Sequence, residues 1–115
     1  MKNTLLLFVT LVFFNSAFAQ DNLSEANNLK KQGLLMPALM KYAEAMAQNP
    51  SAEISYKIAS TSALLWTSHM RDTSFYFLNF ALANDSSLDV LHNPDFLSLI
   101  DDPRWEKIED AQIKK

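Results

Sequence analysis

From Leu35 to Met46, apolar side chains stand at positions 35, 38, 39, 42, 45 and 46, the spacing of one face of a helix. The stripe predicts a helix over Met36–Gln48, with Pro37 in its first turn, where a missing N–H costs no hydrogen bond. Asn49-Pro50-Ser51 breaks it. Upstream, Leu23, Ala26 and Leu29, with the stem of Lys30, line a helix over Leu23–Gln32 that Gly33 ends, because glycine takes the left-handed conformation cheaply. Downstream, Tyr56, Ala59, Ala63 and Trp66 form one stripe, and Ile54, Ile58 and Leu65 a second. They predict a helix over Ala52–Ser68 covered on two sides. A fourth helix is expected over Thr73–Ala83 with Asp72 as its N-cap. Its Phe75, Tyr76, Phe77 and Phe80 exceed what one core stripe absorbs. The surplus is expected to lie buried beneath a further layer, and a ring left exposed would mark a contact surface.

After the polar break Asn84-Asp85-Ser86-Ser87, residues 88–91 are expected to form a turn of helix. Two short helices follow, near Pro94–Ile100 and Pro103–Gln112, and the last three residues are expected to fray. Asn93-Pro94-Asp95-Phe96 is echoed nine residues later by Asp102-Pro103-Arg104-Trp105. Asn93 and Asp102 read as N-caps and the two prolines as first-turn residues. Arg104 is expected to pair with Asp101. Phe96 and Trp105 fall at equivalent places and are expected to fold inward as a structural cap. Strict two-residue alternation is missing, and with one glycine in the chain no Asn-Gly or Asp-Gly hairpin turn occurs, so the fold class is all-α.

The helices repeat. Ala38-x3-Tyr42-x2-Ala45-x4-Pro50 returns as Ser74-x3-Leu78-x2-Ala81-x4-Ser86, shifted by 36 residues throughout. Ala26-x2-Leu29 corresponds to Ser60-x2-Ala63 with a shift of 34. The difference of two is assigned to a longer turn around His69-Met70-Arg71. Small residues let antiparallel helices approach, and the large one fills the gap between pairs. The pattern resembles the tetratricopeptide repeat. The first unit matches that family's small-x3-aromatic-x2-Ala-x4-Pro motif at Ala38, Tyr42, Ala45 and Pro50. The second departs from it with Ser74, Leu78 and Ser86. The stretch from Asp72 to Trp105 is similar to the closing segment of some bacterial tetratricopeptide-like arrays, with Leu91, Pro94, Asp95, Phe96, Leu99, Asp102, Pro103, Arg104 and Trp105 carrying the likeness; the usual glycine after the last repeat helix is replaced by Asn84-Asp85. The resemblance implies a right-handed α-solenoid fragment: two helix–turn–helix pairs, about 22–50 and 52–86, plus short capping helices over about 88–112. It implies no activity.

Met1-Lys2-Asn3, the apolar run Leu5–Phe14 and Ala17-x-Ala19 follow the plan of a signal peptide, expected over residues 1–19 with a mature domain over 20–115. The apolar run is about half of the roughly 20 residues a spanning helix needs, so no integral membrane segment is expected after signal removal. Residues 20–115 hold nine basic and thirteen acidic side chains, a net charge of −4. That balance argues against a nucleic-acid partner, which calls for a clustered basic face. Without cysteine there is no disulfide scaffold, thiol nucleophile or lipid-modified cysteine. The expected product is soluble, periplasmic or secreted.

Candidate chemistry is sparse. His69 and His92 belong to no zinc pattern, and Asp85, Asp89, Asp95, Asp101 and Asp102 lack the alternating ligands and glycine of a calcium loop. Ser60, Thr61 and Ser62 lack a nucleophile elbow and are expected to serve helix packing. No catalytic residue, cofactor site or metal site is expected. The resemblance implies instead a concave groove lined by the first and third helices, with Leu23, Asn27, Lys30, Lys31, Ile54, Lys57, Thr61 and Leu64 facing it. Asn27, Lys31 and Lys57 could grip a peptide carboxylate. The expected role is a non-enzymatic protein–protein interaction or scaffold module of the bacterial envelope, with a protein or peptide partner. The alternatives are a regulatory or accessory subunit for a neighbouring envelope enzyme or transporter, and a self-associating structural module.

Overall fold

The structure, a computed structural model, describes residues 20–114. The expected signal peptide lies outside the described residues. Those residues form helices and turns, with no strand among them. Helix α1 runs through residues 20–31, α2 is Leu35–Gln48, α3 is Ala52–Ala63, α4 is Ser68–Asn84, a 3₁₀ helix covers Pro94–Leu99, and α5 is Trp105–Ile113. The described residues divide into two compact units, one ending at Pro50 and the other beginning at Ser51.

In the first unit α1 and α2 lie antiparallel. Asn22 Nδ2 donates to Gln48 Oε1 at 3.2 Å, and the Tyr42 hydroxyl donates to Asn27 Oδ1 at 2.5 Å. Gly33 closes α1 with φ +79 in the left-handed region. Its N–H bonds the Lys30 carbonyl and the Leu34 N–H the Leu29 carbonyl, the two reverse bonds of a Schellman stop. Ala26, Ala38, Tyr42 and Ala45 are buried, so α2 turns inward the face its spacing predicted.

In the second unit α3 and α4 are antiparallel and closely spaced. The Ser55 hydroxyl donates to the Phe77 carbonyl and the Ser74 hydroxyl to the Ala59 carbonyl, each at 2.7 Å. Both ends of this contact need small side chains. Ala59, Ala63, Phe75, Leu78, Val90, Phe96, Leu99, Trp105 and Ile108 form one buried cluster, which draws α3, α4, the 3₁₀ helix and α5 into a single core. Ser98 adds a hydrogen bond of 2.6 Å to the Ala63 carbonyl at the end of α3, and the Val90 N–H donates to Gln112 Oε1 at 2.9 Å.

Four local expectations are corrected. The turn between α3 and α4 falls at Leu64–Thr67, not around His69–Arg71, so α3 is shorter and α4 starts earlier than periodicity suggested. Thr67, not Asp72, is the N-cap, its Oγ1 accepting from the Met70 N–H at 3.1 Å. The break was hidden because Leu64-Leu65-Trp66 is apolar and holds no glycine, proline or asparagine. Trp66 itself takes φ +56. Residues 88–91 form no helix, and only their end enters a turn. Asp102 does not cap α5, which begins two residues after Pro103 behind Arg104.

Trp66 has a testable consequence. A left-handed tryptophan costs about 1 to 2 kcal/mol, and this one is 66% exposed, so its ring contributes little packing. Trp66→Gly is expected to stabilise the protein by about 0.5 to 1 kcal/mol, after the greater entropy of glycine in the unfolded chain is subtracted. A lower urea midpoint in that variant would show that the ring is held by contacts worth more than the strain.

Candidate interaction surfaces

The residues expected to line the groove lie in different settings. In the first unit, Asn27 is half-buried on α1 with its amide oxygen engaged by Tyr42; Lys30 is half-exposed and Lys31 exposed. In the second unit, Lys57 is half-exposed on α3. Thr61 is a correction. It is fully buried, and its hydroxyl donates to the Lys57 carbonyl one turn back at 2.7 Å, so it has no surface to offer a ligand. Ile54 is likewise buried. Ser60 and Ser62 are buried beside Thr61; Ser60 also bonds the Lys57 carbonyl.

The tail is tied to α4 by Arg104. Its Nε and Nη2 bond the two Asp102 carboxylate oxygens at 3.0 and 2.8 Å, its Nη1 reaches Asp72 at 2.9 Å, and its guanidinium lies 4.4 Å from the centroid of the Phe75 ring. The expected Asp101 partner is therefore replaced by Asp102 and Asp72. Asp102 also accepts the Arg104 backbone N–H at 2.9 Å, a turn closed by its own side chain. The Arg104 side-chain hydrogen bond outweighs burial and holds the Asp102 carboxyl down at about 2. A depressed carboxyl stabilises the fold fully above its unfolded value near 3.9, and that stability is lost as pH falls through its folded value. The urea midpoint of the wild type is thus expected to fall between about pH 4 and pH 2, and Asp102→Asn to show a lower midpoint at pH 5 with a flatter acid limb. Equal acid slopes in the two proteins would remove Asp102 from the account.

Tyr56 joins α3 to the loop before the 3₁₀ helix. Its hydroxyl donates to the Asp89 carbonyl at 2.5 Å and accepts from Asn93 Nδ2 at 2.9 Å, and its ring meets Phe96 edge-on at 5.5 Å. Burial, with the nearby Asp89 and Asp95 charges, raises its pKa against the lowering effect of Asn93. Asn93 caps the 3₁₀ helix as expected, accepting from the Asp95 N–H.

Beyond Tyr56, an apolar pocket of about 390 Å³ opens in the surface of the second unit, with Val90, Phe96 and Trp105 at its buried floor and Leu91, Leu97 and Ile100 at its exposed rim. The rim follows from local geometry. With three residues per turn, Phe96 and Leu99 share the inward face while Leu97 and Ile100 are displaced to another. That spacing was open to reading in the sequence, and the pocket was missed because only the inward residues were followed. The His92 ring Nδ1 lies 2.9 Å from the Asp89 carboxylate on the same wall.

The aromatic surplus on α4 divides. Phe75 is buried and Phe77 half-buried, but Tyr76 and Phe80, one turn apart, are 69% and 39% exposed. The expectation that the surplus is covered is corrected for these two, because the tail packs on the Phe75–Leu78 face and leaves theirs open. Among the described residues, no group of three or more histidine, aspartate or glutamate side chains is placed to hold a metal ion, and no helix is long and apolar enough to cross a membrane. Comparison with protein-family models, curated proteins and solved structures finds no match to this chain.

Proposed function

We propose that this is an exported, non-enzymatic, tetratricopeptide-like interaction module of the bacterial envelope, which docks a protein partner on α4. The observation that carries the reading is the exposure of Tyr76 and Phe80 on one face of that helix. Two rings one turn apart form an apolar strip of the kind that protein contacts cover. The repeat reading is supported by burial at the 36-residue spacing: Ala38 and Ser74, Tyr42 and Leu78, and Ala45 and Ala81 are each at most 1% exposed. Two helix pairs of a right-handed solenoid closed by Phe96 and Trp105 would place those pairs at equivalent depths. Export follows from the residue plan of positions 1–19.

The test is site-specific photocrosslinking in native envelope. A photoreactive phenylalanine at Tyr76 or Phe80 should give a discrete adduct that the same group at exposed Ser87 does not. Adducts at position 87 equal to those at 76 and 80, or none at any of them, would sink the reading.

A further inference from the structure

The pocket in the second unit has a chemistry that the α4 strip lacks. Its floor and rim are apolar, yet the segment that forms it is rich in carboxylates. Residues 85–110 hold eight carboxylates against two cations, Arg104 and Lys107, and setting aside the paired Arg104 and Asp102 leaves seven carboxylates against one cation. Asp89 is bonded to His92 of the pocket wall, and Asp101 is the next residue in sequence after the rim residue Ile100. A fitting occupant therefore presents an apolar side chain with lysine or arginine beside it. A volume near 390 Å³ lies at the small end of ligand pockets and suits one or two large side chains.

The turn between α1 and α2 presents that combination. It reads Lys30-Lys31-Gln32-Gly33-Leu34-Leu35-Met36, and Leu34 and Met36 are exposed, large and apolar. The Schellman stop at Gly33 throws Leu34 outward immediately after the two lysines, and nothing stands within 4 Å of where a Cβ on Gly33 would lie. We infer that the lysine-flanked Leu34 turn of one molecule docks into the apolar pocket of a second copy, beside the Asp89 carboxylate held by His92. The two surfaces differ, so a single docking leaves the pocket of one molecule and the turn of the other free for further association. The inference does not depend on the α4 strip.

A turn entering one pocket is a small interface, so association is expected only at high protein concentration. Sedimentation equilibrium on residues 20–115, from about 10 µM to about 1 mM, should show mass rising with concentration. Leu34→Ser and Leu97→Ser change exposed side chains and should each raise the dissociation constant at least about tenfold, with unchanged circular dichroism. Mixing the two variants should restore association but stop it at a dimer, since the intact turn of the Leu97→Ser protein can enter the intact pocket of the Leu34→Ser protein. A wild type that stays monomeric throughout overturns the inference. So do single variants that associate as the wild type does, or a mixture no larger than its components. If photocrosslinking at α4 fails while this mixture forms dimers, the partner reading falls and self-association stands.

Discussion

Trp105→Ala is expected to destabilise the second unit by about 3 to 5 kcal/mol, the range for deleting a buried large aromatic. Trp105 is buried in the cluster with Ala59, Ala63, Phe75 and Phe96, its ring centroid 6.5 Å from that of Phe96. The removed ring is too large for so few neighbours to collapse into its space, and one of those neighbours is itself an aromatic whose edge rests on Tyr56. For a domain of this size the change corresponds to a melting temperature lower by more than about 10 °C. Thermal circular dichroism measures it without relying on the fluorophore removed. A melting temperature within about 1 °C of the wild type would show that the tail is not part of the core.

The second large effect comes from adding atoms. Ala59 stands where α3 meets α4, and the Ser74 hydroxyl touches its carbonyl at 2.7 Å. Ala59 is completely buried. Ala59→Leu would insert three carbons where the opposing backbone leaves no room, and overpacking of this kind costs about 1 to 3 kcal/mol. The upper end is expected here, because relief requires the helices to separate, which stretches both the Ser74 and Ser55 bonds. Ser74→Ala, which removes one of those bonds and adds no volume, is expected to cost only about 1 kcal/mol. Urea midpoints of the two variants order them directly. If Ser74→Ala proves the more damaging, close approach is set by the hydrogen bond and not by side-chain size.

The apolar stripe of α2 was legible because Ala38, Tyr42 and Ala45 point one way and flanking punctuation, Gly33 and Asn49-Pro50, is strong. The burial of Phe96 and Trp105 was legible from their equivalent places after two prolines. The α3–α4 turn was not. A left-handed tryptophan has no compositional mark, and Thr67 as a cap lacks the glutamate or glutamine three residues on that completes a capping box. The surface features were harder still. Which aspartate takes Arg104 depends on where α4 passes, and that is long-range information. Whether Tyr76 and Phe80 are covered depends on which face of α4 the tail packs against, and that too is long-range information.

The hydrogen bonds that close the second unit also set an order of events in time. The Ala63 carbonyl waits for Ser98, and the Val90 N–H waits for Gln112. A chain that emerges N-terminus first can wind α3 and α4 early, but their shared core stays open to water until residues as far as Gln112 are out. At about 5 to 20 residues per second, the 49 positions from Ala63 to Gln112 take several seconds. During that interval Phe75, Leu78 and Val90 are uncovered apolar surface, an opening for a holding chaperone and, without one, for aggregation.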